Sequence, residues 1–245
     1  MFDENLEYWN NKLSGFPVLE LTTDKLRSSD GDYEIGIETF SFSEKLYESV
    51  ITLSQSSNTL ILSNLLTAFK CLLHKYTGQK DITVGSYIYK SNKSDFNILA
   101  FRSCVSGDIS FIELLKQLDE IVIKDLKHKD FSWEQLVSKL NTTNAQNNSD
   151  IFQVMFSFQE ADSKNTAFPI EIDRFQSDLS FFVVSSPSGL KGTVAYNQKI
   201  FEPQTVKRFI THFENLLDCV VDNPACQVNQ LTILSEIERD KILVE

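Results

Sequence analysis

Histidine is scarce in this 245-residue sequence: His74, His128 and His212 are all there is. Any reaction that needs an imidazole base near neutral pH must choose among those three, and none sits in a glycine-framed or acid-paired motif. Cysteine is as sparse. Cys71, Cys104, Cys219 and Cys226 show no CxxC or Cys/His ligand spacing, which argues against a metal site, and the first three lie in apolar periodic stretches that predict reduced, buried thiols. Positive charge is in deficit, with 23 Lys and Arg against 34 Asp and Glu, a net −11. The acidic residues are spread along the chain, so phosphate backbones and anionic membranes would be repelled, which excludes nucleic-acid and membrane-surface binding. No run of 18 apolar residues occurs, and the start MFDENLEYW is acidic where a signal peptide is basic and then apolar. The expectation is a soluble, cytoplasmic chain. GxSxG, P-loop glycines and HExxH are absent too, which removes the common hydrolase, nucleotide-binding and zincin signatures.

What is present is the material of a core. Hydrophobic residues make up 42% of the chain, with 19 Phe among them, and a chain of this size buries about 70 to 75% of its unfolded surface. Apolar positions recur at helical spacing over residues 2–13 and 44–53, and over 60–76 with Gly78 as the C-cap. The period then changes to that of strands at 81–89 and 96–105. An amphipathic helix follows from Ser110 to Leu126, opened by the Ser/Glu spacing of a capping box, and a short helix from Ser132 to Leu140. The Asn-rich stretch 141–150 reads as a loop. Beyond it, strands are expected at 151–159, 168–175, 179–185 and 190–196, then a long helix from Pro203 to Val221 with proline at its first turn. The tail from Ser235 opens with a second capping box, Ser235 and Glu238. No internal repeat is visible. Together these define one mixed α and β domain.

Of the histidines, His74 ends a helix, where it favours the C-terminal dipole or a packing contact. His212 lies inside the long helix near Phe209 and Phe213. His128 stands out because HKDFSWE places a His, an Asp and two aromatics between two helices, although Trp133 as a packing anchor for a loop explains the same residues.

The order of several segments is more specific than any one of them. FDENLEYWNNKLSG, FPVLELTTDK and LLTAFKCLLHKYTGQKDITVGSYI resemble the middle of the condensation domain family of nonribosomal peptide synthetases. DFNILAFR is similar to the family's FVNT…R segment at Asn97 and Arg102. HKDFSWE is similar to its HQDxPFE motif at His128, Asp130 and Glu134, with Lys129, Ser132 and Trp133 as departures. IFQVMFSFQ, DLSFFV and GLKGTVAYNQKIFEPQTVKRFITHFENLL resemble its later strands and final helix, and LTILSEIERDKIL its connector to an adenylation domain.

The resemblance implies a chloramphenicol acetyltransferase-like lobe, an α/β (α+β sandwich) fold with a mixed β-sheet flanked by helices. Residues 1–230 would form the C-terminal lobe of a condensation domain, and 231–245 the connector towards a following adenylation domain. Asn97, Arg102, His128, Asp130 and Glu134 are expected to line the cleft, with no catalytic residue, no metal and no directly bound cofactor. Phosphopantetheine would arrive on a partner peptidyl carrier protein. The family's HHxxxDG motif lies upstream of the segments matched here, and no HH pair occurs in this sequence. A positioned acid or base is worth about 10² to 10⁴ in rate, so peptide-bond formation by this stretch alone is not expected. Two departures point the same way: Tyr87 replaces a family proline, and the RDxSRNP loop reads NAQNNSD, with Asn144 and Ala145 in place of Arg and Asp. The leading expectation is a truncated, non-catalytic platform for the adenylation domain. The alternatives are a half-domain that completes an acyl-transfer site with a separate N-terminal lobe, and a free-standing carrier-protein interaction module. Self-association would use the apolar face left by the missing lobe.

Overall fold

A six-stranded mixed sheet organises the chain, with strand order β1-β6-β5-β4-β2-β3. The computed structural model describes residues 2–27, 33–89, 96–139, 152–161, 177–186, 189–235 and 238–240. In chain order the elements are α1 (Phe2–Leu13), β1 (Ile35–Ser41), α2 (Glu44–Ser57), α3 (Ile61–Thr77), β2 (Asp81–Tyr89), β3 (Phe96–Cys104), α4 (Phe111–Lys127), α5 (Trp133–Lys139), β4 (Val154–Glu160), β5 (Leu179–Ser186), β6 (Gly189–Asn197) and α6 (Pro203–Asp222). A 3₁₀ turn, Val228–Gln230, follows. The helices and most strands stand where the periodicity places them. The reading of 141–150 as a loop and of 168–175 as a strand falls outside the described residues.

Local chemistry explains the helix ends. Ser110 and Glu113 form the capping box at the start of α4, and Gly78, at φ +70°, ends α3 in the left-handed conformation. Pro203 occupies the first turn of α6. Phe69 of α3 packs 4.9 Å, centroid to centroid, from Phe156 of β4 and 5.0 Å from Phe181 of β5, with Phe213 of α6 at 5.7 Å. This aromatic cluster covers one face of the sheet. Strand alternation sends Met155 to the opposite face, where the ring of Phe152 lies on Gly85 and Trp133 lies 5.2 Å from Phe152.

Two findings depart from the sequence reading. Strand β1 was not expected; it pairs antiparallel with β6 along the sheet edge. Its Gly36 breaks the run of side chains, and the Tyr196 phenol fills the place a Cβ would take. Cys104, expected to be a buried thiol, is exposed, while Cys71 is buried and Cys219 half-buried. Cys104 ends an edge strand, and Ser103 is the residue turned inwards there, so alternation points Cys104 outwards.

Candidate functional site

The loop after α4 is where three of the five expected cleft residues meet. Helix α4 stops at His128, whose N–H donates to Asp125 O at 3.0 Å. The chain then runs beneath α1. Trp9 Nε1 donates to His128 O at 2.8 Å, and the imidazole stacks on Tyr8 at 4.0 Å. Asn5 Nδ2 donates to Asp130 O at 2.8 Å, which turns Asn5 Oδ1 towards His128 Nδ1, also at 2.8 Å. An amide oxygen only accepts, so Nδ1 carries the proton and Nε2 of the neutral ring is the acceptor. Among the described residues Nε2 has no hydrogen-bond partner, and the ring is half-buried.

Asn97 holds the same loop from the sheet. Its Nδ2 donates to Lys129 O at 2.7 Å and to Phe131 O at 3.0 Å. Asp130 and Glu134 have exposed side chains, and Glu134 Oε2 accepts from Ser132 Oγ at 2.8 Å. Arg102 is not brought to this cluster. It grips Asp81 through Nε and Nη2, the shortest contact being 2.7 Å, and Nη1 donates to Lys12 O and Ser14 O at the end of α1. Asn97 and Arg102 are five residues apart on β3, so alternation puts them on opposite faces. Arg102 neutralises orphan carbonyls of α1 as a cation should.

Beneath the loop lies a buried charged network that the sequence reading did not single out. Asp125 accepts from Tyr8 OH at 2.6 Å and pairs with Lys12 Nζ. Burial raises the Asp125 carboxyl above the usual range and lowers Lys12, each opposed by the attraction of the other. Lys70 is fully buried, and its ammonium donates to Ile82 O (2.9 Å), Phe101 O (2.7 Å) and Ser103 Oγ (2.7 Å). Burial pushes it down to about 7. The signals were visible: Lys70 interrupts the run LLTAFKCLL, and Asp125 falls on the stripe of Leu114, Leu118 and Val122.

The sheet also opens next to this region. β2 and β4 run parallel but pair only at Gly85 and Met155. Past that point Tyr87 N donates to Ser157 Oγ at 3.0 Å, so a side chain stands in for a backbone carbonyl. Phe152 fills the space a Cβ at Gly85 would need, with its ring carbons 2.8 Å away. The hydroxyls of Thr83 and Ser86 are buried without partners among the described residues. The seam lies near the carboxyl ends of parallel strands, where open α/β sheets hold ligands.

Among the described residues there is no cluster of three His, Cys, Asp or Glu that could hold a metal, and no helix is long and apolar enough to cross a membrane. The fold is that of domains found in peptide synthetases. It is similar to the X-domain from teicoplanin biosynthesis, at a TM-score of 0.84 and 18% identity over 96% of this chain and 57% of that one. It also matches a four-domain nonribosomal peptide synthetase bound to AMP and glycine, at a TM-score of 0.83 and 17% identity over 97% of this chain and 20% of that one. The Condensation domain model matches residues 1–243, and the chain belongs to that family. Two of the linear gramicidin synthase proteins of Brevibacillus parabrevis are similar to it in sequence, one 32% identical over 264 residues and the other 33% identical over 261. These alignments take in 100% and 99% of this chain but 5% of each synthase protein.

Proposed function

We infer that residues 1–230 serve as the C-terminal lobe of a condensation domain and are non-catalytic by themselves. Residues 231–245 would lead to an adenylation domain, for which the lobe is a structural and docking platform. The observation that carries this reading is the use made of the histidines. His74 Nδ1 meets Gln79 O at 2.8 Å, His128 lies between Asn5 and Tyr8, and His212 lies between Tyr76 and Glu238. No two of them meet, so no histidine pair is assembled to accept the proton of an attacking amine.

The attachment of the tail supports the platform. Asn215 Nδ2 of α6 donates to Ile233 O at 2.9 Å, His212 Nε2 lies 3.2 Å from Glu238 Oε1, and Leu231 is buried against the core. A flexible tether would not be held at so many points. The same fold serves a partner elsewhere: the X-domain of teicoplanin biosynthesis has been captured in a complex with OxyB.

A second reading is favoured by one observation, the half-buried His128, whose Nε2 has no partner among the described residues, at the head of the loop that Asn97 holds. It would line an acyl-transfer site completed by a separate N-terminal lobe carrying HHxxxDG, with the phosphopantetheine arm of a carrier protein delivering the substrate. One experiment separates the two. The chain is incubated with an acyl-loaded donor and an aminoacyl-loaded acceptor carrier protein, with and without such a lobe. The platform reading expects no product above background in either case. Product formed with the added lobe and abolished by His128→Ala would replace it with the second reading.

A further inference from the structure

Helices α3 and α6 and the segment after the 3₁₀ turn border an open hollow of about 500 Å³, lined by Lys75, Tyr76, Arg208, His212, Ile233, Leu234 and Glu238. That volume lies within the range of small-molecule pockets. The wall is largely apolar: the Tyr76 ring packs on Phe209 at 4.7 Å, and Leu234 is 40% exposed although it is a large apolar residue.

The polar groups divide into two sets. Tyr76 OH and His212 Nδ1 lie 2.7 Å apart, and His212 Nε2 lies 3.2 Å from Glu238 Oε1. Glu238 Oε2 accepts from Ser235 N at 2.9 Å and from Ser235 Oγ at 2.8 Å. Each carboxylate oxygen therefore has a partner, and the Ser235 bonds above all hold Glu238 down to about 2. The second set is cationic. Lys75 donates to Asn229 O, and Arg208 makes a long contact of 3.4 Å with Thr205 Oγ1. Neither forms an ion pair among the described residues, and Arg208 also bears on the Tyr76 hydroxyl. Among the described residues Glu238 is the one carboxylate of the lining and is already engaged by Ser235 and His212, so Arg208 and Lys75 line a largely apolar space without an ion-pair partner, in a chain of net charge −11.

We propose that this hollow is a binding site for a small organic carboxylate with an apolar body. Arg208 and Lys75 take the carboxylate, Arg208 through the planar fork that suits that group. Ile233, Leu234 and the Tyr76 ring cover the apolar part. The Tyr76–His212–Glu238 chain fixes the wall on which the ligand lies, by tying α3 and α6 to the tail segment. A cationic ligand of the same shape is repelled by the two cations, and Glu238 is held in place by Ser235 and His212. The site is independent of the platform reading, since it needs neither an adenylation domain nor a second lobe.

The test is a titration of the ¹⁵N-labelled chain, followed by amide chemical shifts, with 4-phenylbutyrate and separately with 4-phenylbutylamine. The expected result is saturable shifts at Tyr76, Ile233 and Leu234 with the carboxylate and none that saturate with the amine. Arg208→Gln should weaken carboxylate binding about tenfold or more, the loss of a charge-assisted pair, while the thermal midpoint stays that of the parent. Equal binding of the amine, shifts that never saturate, or an undiminished affinity in Arg208→Gln would each overturn the site. Should that variant fail to fold, the contrast between carboxylate and amine in the parent chain decides the matter.

Discussion

The indole of Trp9 donates its N–H to the carbonyl of His128 across 119 residues of sequence, at 2.8 Å. With Asn97 gripping Lys129 O and Phe131 O from the sheet, the loop that starts at His128 is clamped between α1 and β3. The loop's shape thus depends on groups outside it.

Asn97→Ala should therefore loosen the loop. Two carbonyls lose their donor, and leaving buried acceptors unsatisfied costs about 1 to 3 kcal/mol. Urea unfolding should show that loss, and limited proteolysis should show faster cleavage between 128 and 133. Unchanged cleavage would mean that α1 alone holds the loop.

Trp133 lies against Phe152, which in turn fills the space over Gly85. It is 6% exposed, and truncating a buried Trp to Ala costs about 3 to 5 kcal/mol. Trp133→Ala should lower stability by that order, while Trp133→Phe should retain most of it, as read by denaturant midpoints.

Gly192 faces Phe40 across the β1–β6 ladder, and a Cβ there would stand 2.1 Å from the ring. Gly192→Ala should destabilise by about 1 to 3 kcal/mol through overpacking. Adding Phe40→Leu should recover part of the loss, so the two changes should be non-additive in a double-mutant cycle.

Burial holds Lys70 at about 7 in the folded chain, against about 10.4 for an unfolded lysine. Between those values the unfolded state binds more protons, so this residue makes stability rise with pH from about 7 to about 10 and level off above. Below pH 7 both states are protonated and the full cost of the buried charge remains. Stability measured against pH for the parent and for Lys70→Met should differ by that rise. Parallel curves would show that Lys70 does not titrate in the window.

The sequence disclosed the helices and central strands because their apolar spacing is regular, as in α4, where Phe111, Leu114, Leu115, Leu118 and Val122 are buried along one stripe. Strand β1 was hidden because its partner supplies what it lacks, the Tyr196 ring over Gly36, and a single sequence does not show cross-strand filling. For the site, the resemblance marked Asn97, His128 and Asp130, which the fold gathers. It also marked Arg102, whose partners Asp81 and the α1 carbonyls lie remote in sequence. The unmatched cations of the α3–α6 hollow belong to elements more than a hundred residues apart, so only the assembled chain reveals them.

The single pairing of β2 with β4 at Gly85 and Met155 has a mechanical consequence. Fully laddered pairs flank it, with β2 bonded to β3 from Asp81–Cys104 to Tyr89–Phe96, and β4 bonded to β5 from Val154–Leu179 to Glu160–Ser185. The sheet is therefore a two-stranded leaf and a four-stranded leaf, with little backbone bonding between them. Two consecutive residues of α3 span the division: Phe69 rests on Phe156 and Phe181 of the larger leaf, while Lys70 holds carbonyls of β2 and β3 in the smaller. Strain applied to one leaf reaches the other through that helix as well as through the Tyr87–Ser157 bond and the Phe152 ring on Gly85, so α3 splints a seam that the backbone leaves weak.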